Sequence, residues 1–176
     1  VILPDTYGSE QFFHNMPDDL ATHVAHNWRG QRQDSGDPGD ECRKFINWLK
    51  SKNVNSDVIT RKKINIFSDG LNVDQMINYK NEFSGKIIGT NGWGTKFTND
   101  FNGCHPNGDD TVPGLSVTWD QVFRNFSIVV KVVEANGKPV VKLSNNINKA
   151  TGTADAIADY VRVFGHAGRG EQAVEV

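Results

Sequence analysis

In the first half of this chain, short apolar runs alternate with segments whose apolar residues recur at helical spacing. Val1-Ile2-Leu3, Trp28 to Gln33, Lys62 to Phe67 and Lys86-Ile87-Ile88 predict strands. Ser9 is placed to cap a short helix carrying Phe12 and Phe13, and Asp18 to His26 predicts a second. Asp37 is a good N-cap, Pro38 suits the first helical position, and Asp40 and Glu41 favour the positive end of the dipole. Cys42, Phe45, Ile46 and Leu49 then fall at i, i+3, i+4 and i+7, one apolar stripe facing a sheet. Asn72 with Gln75 predicts a capping box for a further helix, with Val73, Met76, Ile77 and Phe83 inward and Gly85 as its stop.

Each of three strands runs into a polar loop. The loops are Gln31 to Pro38, Ser68-Asp69-Gly70 and Asn91 to Thr95, all rich in Gly, Asp, Ser or Thr. Loops of this kind at the carboxyl ends of parallel strands hold phosphorylated ligands in βα folds. Three in sequence at strand-helix-strand spacing point to a single site. Residues 1–101 therefore read as part of an irregular βα (TIM-like) barrel. Four strands cannot close an eight-stranded barrel, so the expectation is half of one, with the remainder upstream. The opening at Val1, inside a core strand and without an initiator methionine, fits a chain cut from something longer.

The texture then changes. The stretch around 99–120, bounded as 102–124 for a domain assignment, is polar, Gly- and Pro-rich and without period, a candidate lid. Residues 125–176 read as a hairpin plus helix that do not belong to the βα repeat. Phe126 to Glu134 is the outgoing strand, Asn136-Gly137 the turn and Pro139 to Leu143 the return. Thr153 caps a last helix with Ile157, Tyr160, Val161 and Phe164 inward and Gly165 at its end. This tail is expected to pack on a sheet elsewhere, and residues 167–176 have little to order them.

Composition narrows the classes. The chain has 176 residues, 37% hydrophobic and 23% charged, with net charge −2. That is enough for a real core and gives no reason for a nucleic-acid or membrane partner. No apolar run approaches the roughly 18 residues of a membrane helix. Cys42 and Cys104 form no CxxC pair and read as reduced thiols of a cytoplasmic protein. His23 and His26 have no further ligands nearby in sequence. Asp109-Asp110-Thr111 lacks a preceding strand, and Asn125-Phe126-Ser127 fits a glycosylation pattern without a sign of secretion.

The loops in this order resemble the nicotinate phosphoribosyltransferase family, type II phosphoribosyltransferases. The resemblance runs through Asp5-Thr6-Tyr7, Arg32-Gln33-Asp34-Ser35-Gly36-Asp37-Pro38, Phe67-Ser68-Asp69 and Gly92-Trp93-Gly94-Thr95-Lys96-Phe97-Thr98-Asn99-Asp100-Phe101. It resumes at Ile128 to Val132 and Asn136 to Ser144, in register with the family's C-terminal portion. It implies a barrel joined to an α/β sandwich domain that takes in the hairpin and helix of residues 125–176, a homodimer, and a cytoplasmic step of NAD synthesis. Nicotinate and phosphoribosyl pyrophosphate (PRPP) give nicotinate mononucleotide and pyrophosphate, with Mg²⁺ and ATP as co-substrate. The family's phosphorylatable histidine lies in a segment upstream of this stretch. None of His14, His23, His26, His105 or His166 stands in that motif. This chain alone is therefore expected to be inactive without the N-terminal part of the protein. Arg124-Asn125-Phe126-Ser127 also departs from the family's usual Lys-Pro-Leu-Asn run.

The resemblance assigns roles. Gly92, Gly94 and Thr95 present backbone N–H groups and a hydroxyl to the 5′-phosphate, with Lys96 adding charge and Trp93 covering the ligand. Asp34 and Asp69 hold the ribose hydroxyls or a Mg²⁺ beside the pyrophosphate, although sequence alone reads both equally as turn residues. Arg32 contacts nicotinate or phosphate. Ser68 bonds phosphate, Ser35 with Gly36 shapes its loop, and Ser35 and Gly70 count among the substrate-binding positions. Nicotinamide phosphoribosyltransferase is the near rival, differing by Asn where this chain has Asp37. A non-catalytic phosphosugar-binding fragment is the alternative of another class.

Overall fold

The computed structural model describes residues 1–98, 101, 103–124, 126, 128–166 and 168–171. Asn99 and Asp100 of the matched loop, Asn125 and Ser127 of the acceptor pattern, and positions 167 and 172–176 of the expected loose end lie outside them. The elements run α1 (Ser9–His14), α2 (Asp18–Asn27), β1 (Gly30–Arg32), α3 (Pro38–Ser51), α4 (Ser56–Lys62), β2 (Ile64–Phe67), α5 (Val73–Phe83), β3 (Ile88–Asn91) and α6 (Thr95–Thr98). After these come α7 (Trp119–Val122), β4 (Glu134–Ala135), β5 (Lys138–Pro139), a 3₁₀ turn (Ile147–Lys149) and α8 (Ala154–Phe164). The fold is mixed α/β around a small parallel sheet.

That sheet has the order β1-β2-β3, all parallel, with Gly30 opposite Ile64 and Ile64 opposite Ile88. Ile2 extends it through a parallel bridge to Gln31. Parallel strands bring their carboxyl ends to one edge, so the loops after Arg32, Phe67 and Asn91 gather there. One face, which presents Phe67, is covered by α3, α4 and α5 through Cys42, Phe45, Leu49, Ile59 and Phe83, all nearly inaccessible to water. The helices start where the residues dictate. Asp37 Oδ1 accepts the Asp40 N–H at 2.7 Å, and Asn72 and Gln75 form a reciprocal capping box.

Cys42 lies deep in this core, and burial pushes its thiol up to about 12, with the charge of Glu82 adding to the effect. Cys104 is exposed. Iodoacetamide at neutral to mildly alkaline pH is therefore expected to modify Cys104 quickly and Cys42 only after denaturant is added, with peptide mapping as the readout.

Several expectations change. Ser9 does not cap α1: Gly8 occupies the N-cap, and the Ser9 N–H donates to Asn145 Oδ1 at 2.7 Å, so the cap comes from 136 residues away. The strand expected from Lys62 starts at Ile64, because Asn55 caps α4 and carries helix through Lys62. Val73 and Ile77 are 49% and 50% exposed rather than inward. Helix α5 turns Met76, Tyr79 and Phe83 to the core, and no described strand lies beyond β3 to cover the other two.

The long outgoing strand also fails to form. Among the described residues the pairing is confined to Glu134–Ala135 with Lys138–Pro139 and one further bond, from the Val140 N–H to Val133 O at 3.0 Å, and Val130 is 92% exposed. A two-stranded ribbon has no sheet against which to bury alternate residues. The return segment leaves the hairpin, bridges Lys142 to Thr151 and donates the Leu143 N–H to Thr6 O at 2.8 Å. Val141 and Leu143 are buried with α8, whose Tyr160 and Phe164 pack on Tyr7. The tail thus seats on the chain's own first residues. Beyond α8, the Arg169 guanidinium donates to Tyr7 O and the Gly170 N–H to Asn145 O, so this part of the end is anchored. The segment read as without period contains α7, capped reciprocally by Thr118 and Gln121, with His105 stacked on Trp119 at 4.3 Å.

Candidate functional site

The gathered loops and the segment around Lys131 to Thr151 enclose a cavity of about 710 Å³. Its wall includes Arg32, Asp34, Ser68, Asp69, Gly70, Gly92, Gly94, Thr95 and Lys96, nine of the eleven positions singled out from sequence. Three consecutive β-strand exits therefore do serve one space. The remaining two lie off the wall. Ser35 is fully buried behind it, donating to Asp5 Oδ2 at 2.9 Å and accepting from the Asn145 N–H at 3.1 Å. Trp93 leans on Phe97 at 4.8 Å, and its indole N–H is enclosed with no protein partner.

The loops are shaped by local chemistry. Ser68 is clamped by donating to Gln33 O and accepting from Arg32 Nε at 3.3 Å. Asp69 stands at φ +85, an uncommon conformation for a residue with a side chain, and Gly70 follows at φ +63. Gly92 donates to Phe67 O at 2.7 Å, and a Cβ there would crowd Ser68 at 3.2 Å. A Cβ on Gly94 would meet nothing within 4 Å, so its surroundings are open for a ligand.

The charge balance is the main electrostatic fact. Five cations line the cavity, Arg32, Lys96, Lys131, Lys142 and Lys149, against the carboxylates of Asp34 and Asp69. Both carboxylates are already paired. Asp34 Oδ1 accepts from Arg32 at 3.0 Å and its Oδ2 from Lys142 at 3.2 Å, while Asp69 pairs with Lys149. Lys142 also reaches Asp5 at 3.0 Å, whose side chain is only 2% exposed. Burial pulls the Lys142 pKa down, but Asp5 and Asp34 outweigh it and hold it above its ordinary value. Lys142 therefore stays charged at neutral pH.

This donor set does not fit a Mg²⁺ held by the protein itself. Both oxygens of Asp34 and one of Asp69 are taken by cations, and no cluster of three metal-ligating side chains exists among the described residues. A magnesium ion prefers free carboxylates together with substrate phosphates.

Sequence reasoning missed Lys131, Lys142, Asn148, Lys149 and Thr151. Lys142 sat inside the matched Asn136 to Ser144 run without a role. Lys149 follows Ser144 to Asn148, a mostly polar stretch whose one apolar residue, Ile147, sets neither a helical nor a strand period.

A sequence profile of the nicotinate phosphoribosyltransferase (NAPRTase) family matches residues 10–167. The chain belongs to that family. Solved structures agree with the family assignment. A nicotinate phosphoribosyltransferase from Vibrio cholerae superposes with a TM-score of 0.71 at 29% identity, over 92% of this chain and 34% of that one. A putative nicotinate phosphoribosyltransferase from Saccharomyces cerevisiae gives 0.69 at 27% identity, covering 95% and 36%. The enzyme from Porphyromonas gingivalis gives 0.66 at 26%, covering 93% and 37%. This nicotinate phosphoribosyltransferase family chain thus spans about a third of the length of those relatives. No helix among its described residues is long and apolar enough to cross a membrane.

Proposed function

We propose that this chain forms the phosphosugar-binding part of an enzyme converting nicotinate and PRPP to nicotinate mononucleotide and pyrophosphate. One observation supports this above all: a cation-rich cavity at the shared carboxyl edge of parallel strands, large enough for a phosphorylated ribose and its pyrophosphate. The reaction breaks the bond between the anomeric carbon and the pyrophosphate oxygen and joins that carbon to the pyridine nitrogen. Positive charge grows on the ribose and negative charge on the leaving group, so positioning and electrostatics do most of the work.

The residues divide the task. Gly92, Gly94 and Thr95 cradle the 5′-phosphate with Lys96 beside it. Asp34 and Asp69 face the ribose, where carboxylates hold hydroxyls and offset the growing positive charge. Arg32, Lys142 and Lys149 face the departing pyrophosphate. Mg²⁺ arrives bound to PRPP rather than as a resident ion. None of the described histidines lines the cavity, so ATP-driven histidine phosphorylation is assigned to a part of the enzyme outside this wall. The uncovered sheet face bearing Ile64 and Ile66 is read as the interior of an irregular βα barrel, in a cytoplasmic homodimer.

Asp37 does not separate nicotinate from nicotinamide enzymes on structural grounds. Its side chain caps α3, and Asn caps equally well. The preference for nicotinate rests on the family match and the relatives. The test is turnover by the full-length protein with PRPP and either base. Nicotinate is expected to give the larger kcat/KM; preference for nicotinamide would overturn the substrate, and PRPP binding without turnover would favour a non-catalytic module. Gly94→Ala should leave the melting temperature unchanged but raise the KM for PRPP about tenfold, since the added methyl enters space reserved for phosphate.

A further inference from the structure

Lys142 and Lys149 both pair with carboxylates of the cavity wall, yet they are held differently. Lys142 is fixed by a second partner, the buried Asp5, and would leave that charge unpaired if it moved. Among the described residues the carboxylate that Lys149 pairs with is Asp69, and both side chains remain partly open to the cavity. Its backbone does not move freely. The Ile147 N–H donates to Gly170 O at 3.1 Å, and Asn146 Oδ1 accepts from the Asn148 N–H at 3.1 Å. A long flexible side chain on a pinned backbone can swing its ammonium group without disturbing the fold.

Asp69 is the opposite case. Its position is set by an unusual backbone, between the clamped Ser68 and the left-handed Gly70. A short carboxylate there keeps its aim. Lys131 Nζ donates to the Lys149 backbone carbonyl at 3.4 Å, and both lysines line the cavity. The Lys149–Asp69 pair is mostly buried, with side chains 17% and 27% exposed, so Lys149 leaves it only for a partner of at least equal charge; ammonium–phosphate bonds are charge-assisted and meet several negative oxygens at once.

We propose that Lys149 is an exchangeable counter-ion, neutralising Asp69 in the empty site and transferring to the pyrophosphate when the phosphosugar enters, which hands Asp69 to the ribose hydroxyls. This deepens the phosphoribosyltransferase reading and rests on it. The exchange gates the carboxylate: Asp69 is masked until a pyrophosphate is present, so a sugar phosphate lacking that group finds the site with its ribose contact occupied.

The experiment is calorimetric titration of the full-length protein with Mg²⁺ and, separately, PRPP, pyrophosphate and ribose 5-phosphate. Lys149→Met is expected to weaken PRPP and pyrophosphate about tenfold or more, while ribose 5-phosphate binds as well or better because Asp69 is unmasked. Lys149→Arg keeps the charge and should bind pyrophosphate within about threefold of the unaltered protein. Asp69→Asn is the reciprocal variant: pyrophosphate should bind as well or better, while ribose 5-phosphate, which finds Asp69 masked in the unaltered protein, should change by less than about threefold. It decides the matter even if Lys149→Met does not fold. Equal loss for all three ligands in Lys149→Met, or weaker pyrophosphate binding in Asp69→Asn, overturns the exchange alone. An unaltered protein that binds none of the three overturns the phosphosugar reading and the exchange with it.

Discussion

Replacing Asp34 with asparagine is expected to lower kcat/KM for PRPP by about 100-fold, equivalent to about 2.7 kcal/mol of lost transition-state stabilisation. Both oxygens of Asp34 are in use, one on Arg32 and one on Lys142. Asparagine keeps the shape but turns an NH₂ donor toward one of these cations and removes the negative charge that would face the ribose. The fold should survive, since Lys142 keeps Asp5 and Arg32 is exposed. The melting temperature is expected to change by no more than about 4 °C, the shift that ~1 kcal/mol produces in a domain of this size. Steady-state kinetics beside a thermal melt separate the two effects. A variant within threefold of the unaltered enzyme would remove Asp34 from the reaction.

Gly30→Ala is expected to damage the fold rather than the chemistry. Gly30 lies in β1 beside β2, and a Cβ there would stand 1.9 Å from Ile64 O and 2.9 Å from Ile64 Cγ1. The first of these is backbone in the partner strand, so relief requires the strands to part. Parting them breaks the ladder that also carries Arg32 and the loop after it. Overpacking of this kind costs about 3 kcal/mol or more, a large fraction of the roughly 5–15 kcal/mol by which domains are stable. The thermal midpoint should fall by about 10 °C in a domain of this size, with much of the protein insoluble on expression. A variant melting within about 2 °C of the parent would mean that the sheet opens easily at β1.

The two substitutions lie four residues apart, one in β1 and one in the loop that follows it, yet act through different physics. Gly30 is demanded by how closely two backbones approach. Asp34 is demanded by what the cavity must hold. A sequence shows both only as a Gly and an Asp near a loop.

Much of the helical layer was legible because its signals are local. The Asp37-Pro38 start, the Asn72 and Gln75 capping box, the Cys42 to Leu49 stripe and the Thr153 to Gly165 helix all formed as read. Each depends on residues within about one or two turns of one another. The three loops were legible for a related reason: Gly and Asp after an apolar run mark a strand exit whatever the strand pairs with.

What failed were readings that needed a distant partner. Ser9 looked like a cap, but Asn145 supplies one from the far end of the chain. The apolar run before Asn136 looked like a strand, but strands exist only where a neighbour accepts their bonds, and among the described residues a short ribbon around Asn136-Gly137 is what forms. Val73 and Ile77 fit the period of α5 but not the extent of the sheet. Gln31 and Asn65, polar residues within strands, are buried and bonded to each other at 2.9 Å, which no periodicity announces.

By itself the sequence determined the βα alternation and the Asp- and Gly-rich half of the cavity, because those follow from near-neighbour sterics, capping and periodicity, while the family followed from the resemblance of its loop motifs and the profile match. Only the tertiary structure decided the cationic half. Lys142 and Lys149 stand 108 and 80 residues from the carboxylates they meet, and an ion pair across that separation leaves no trace in local pattern. It exists because the return segment leaves its hairpin to bury Val141 and Leu143 on α8 and Tyr7, and that burial of apolar surface carries the lysines to the carboxyl edge of the sheet.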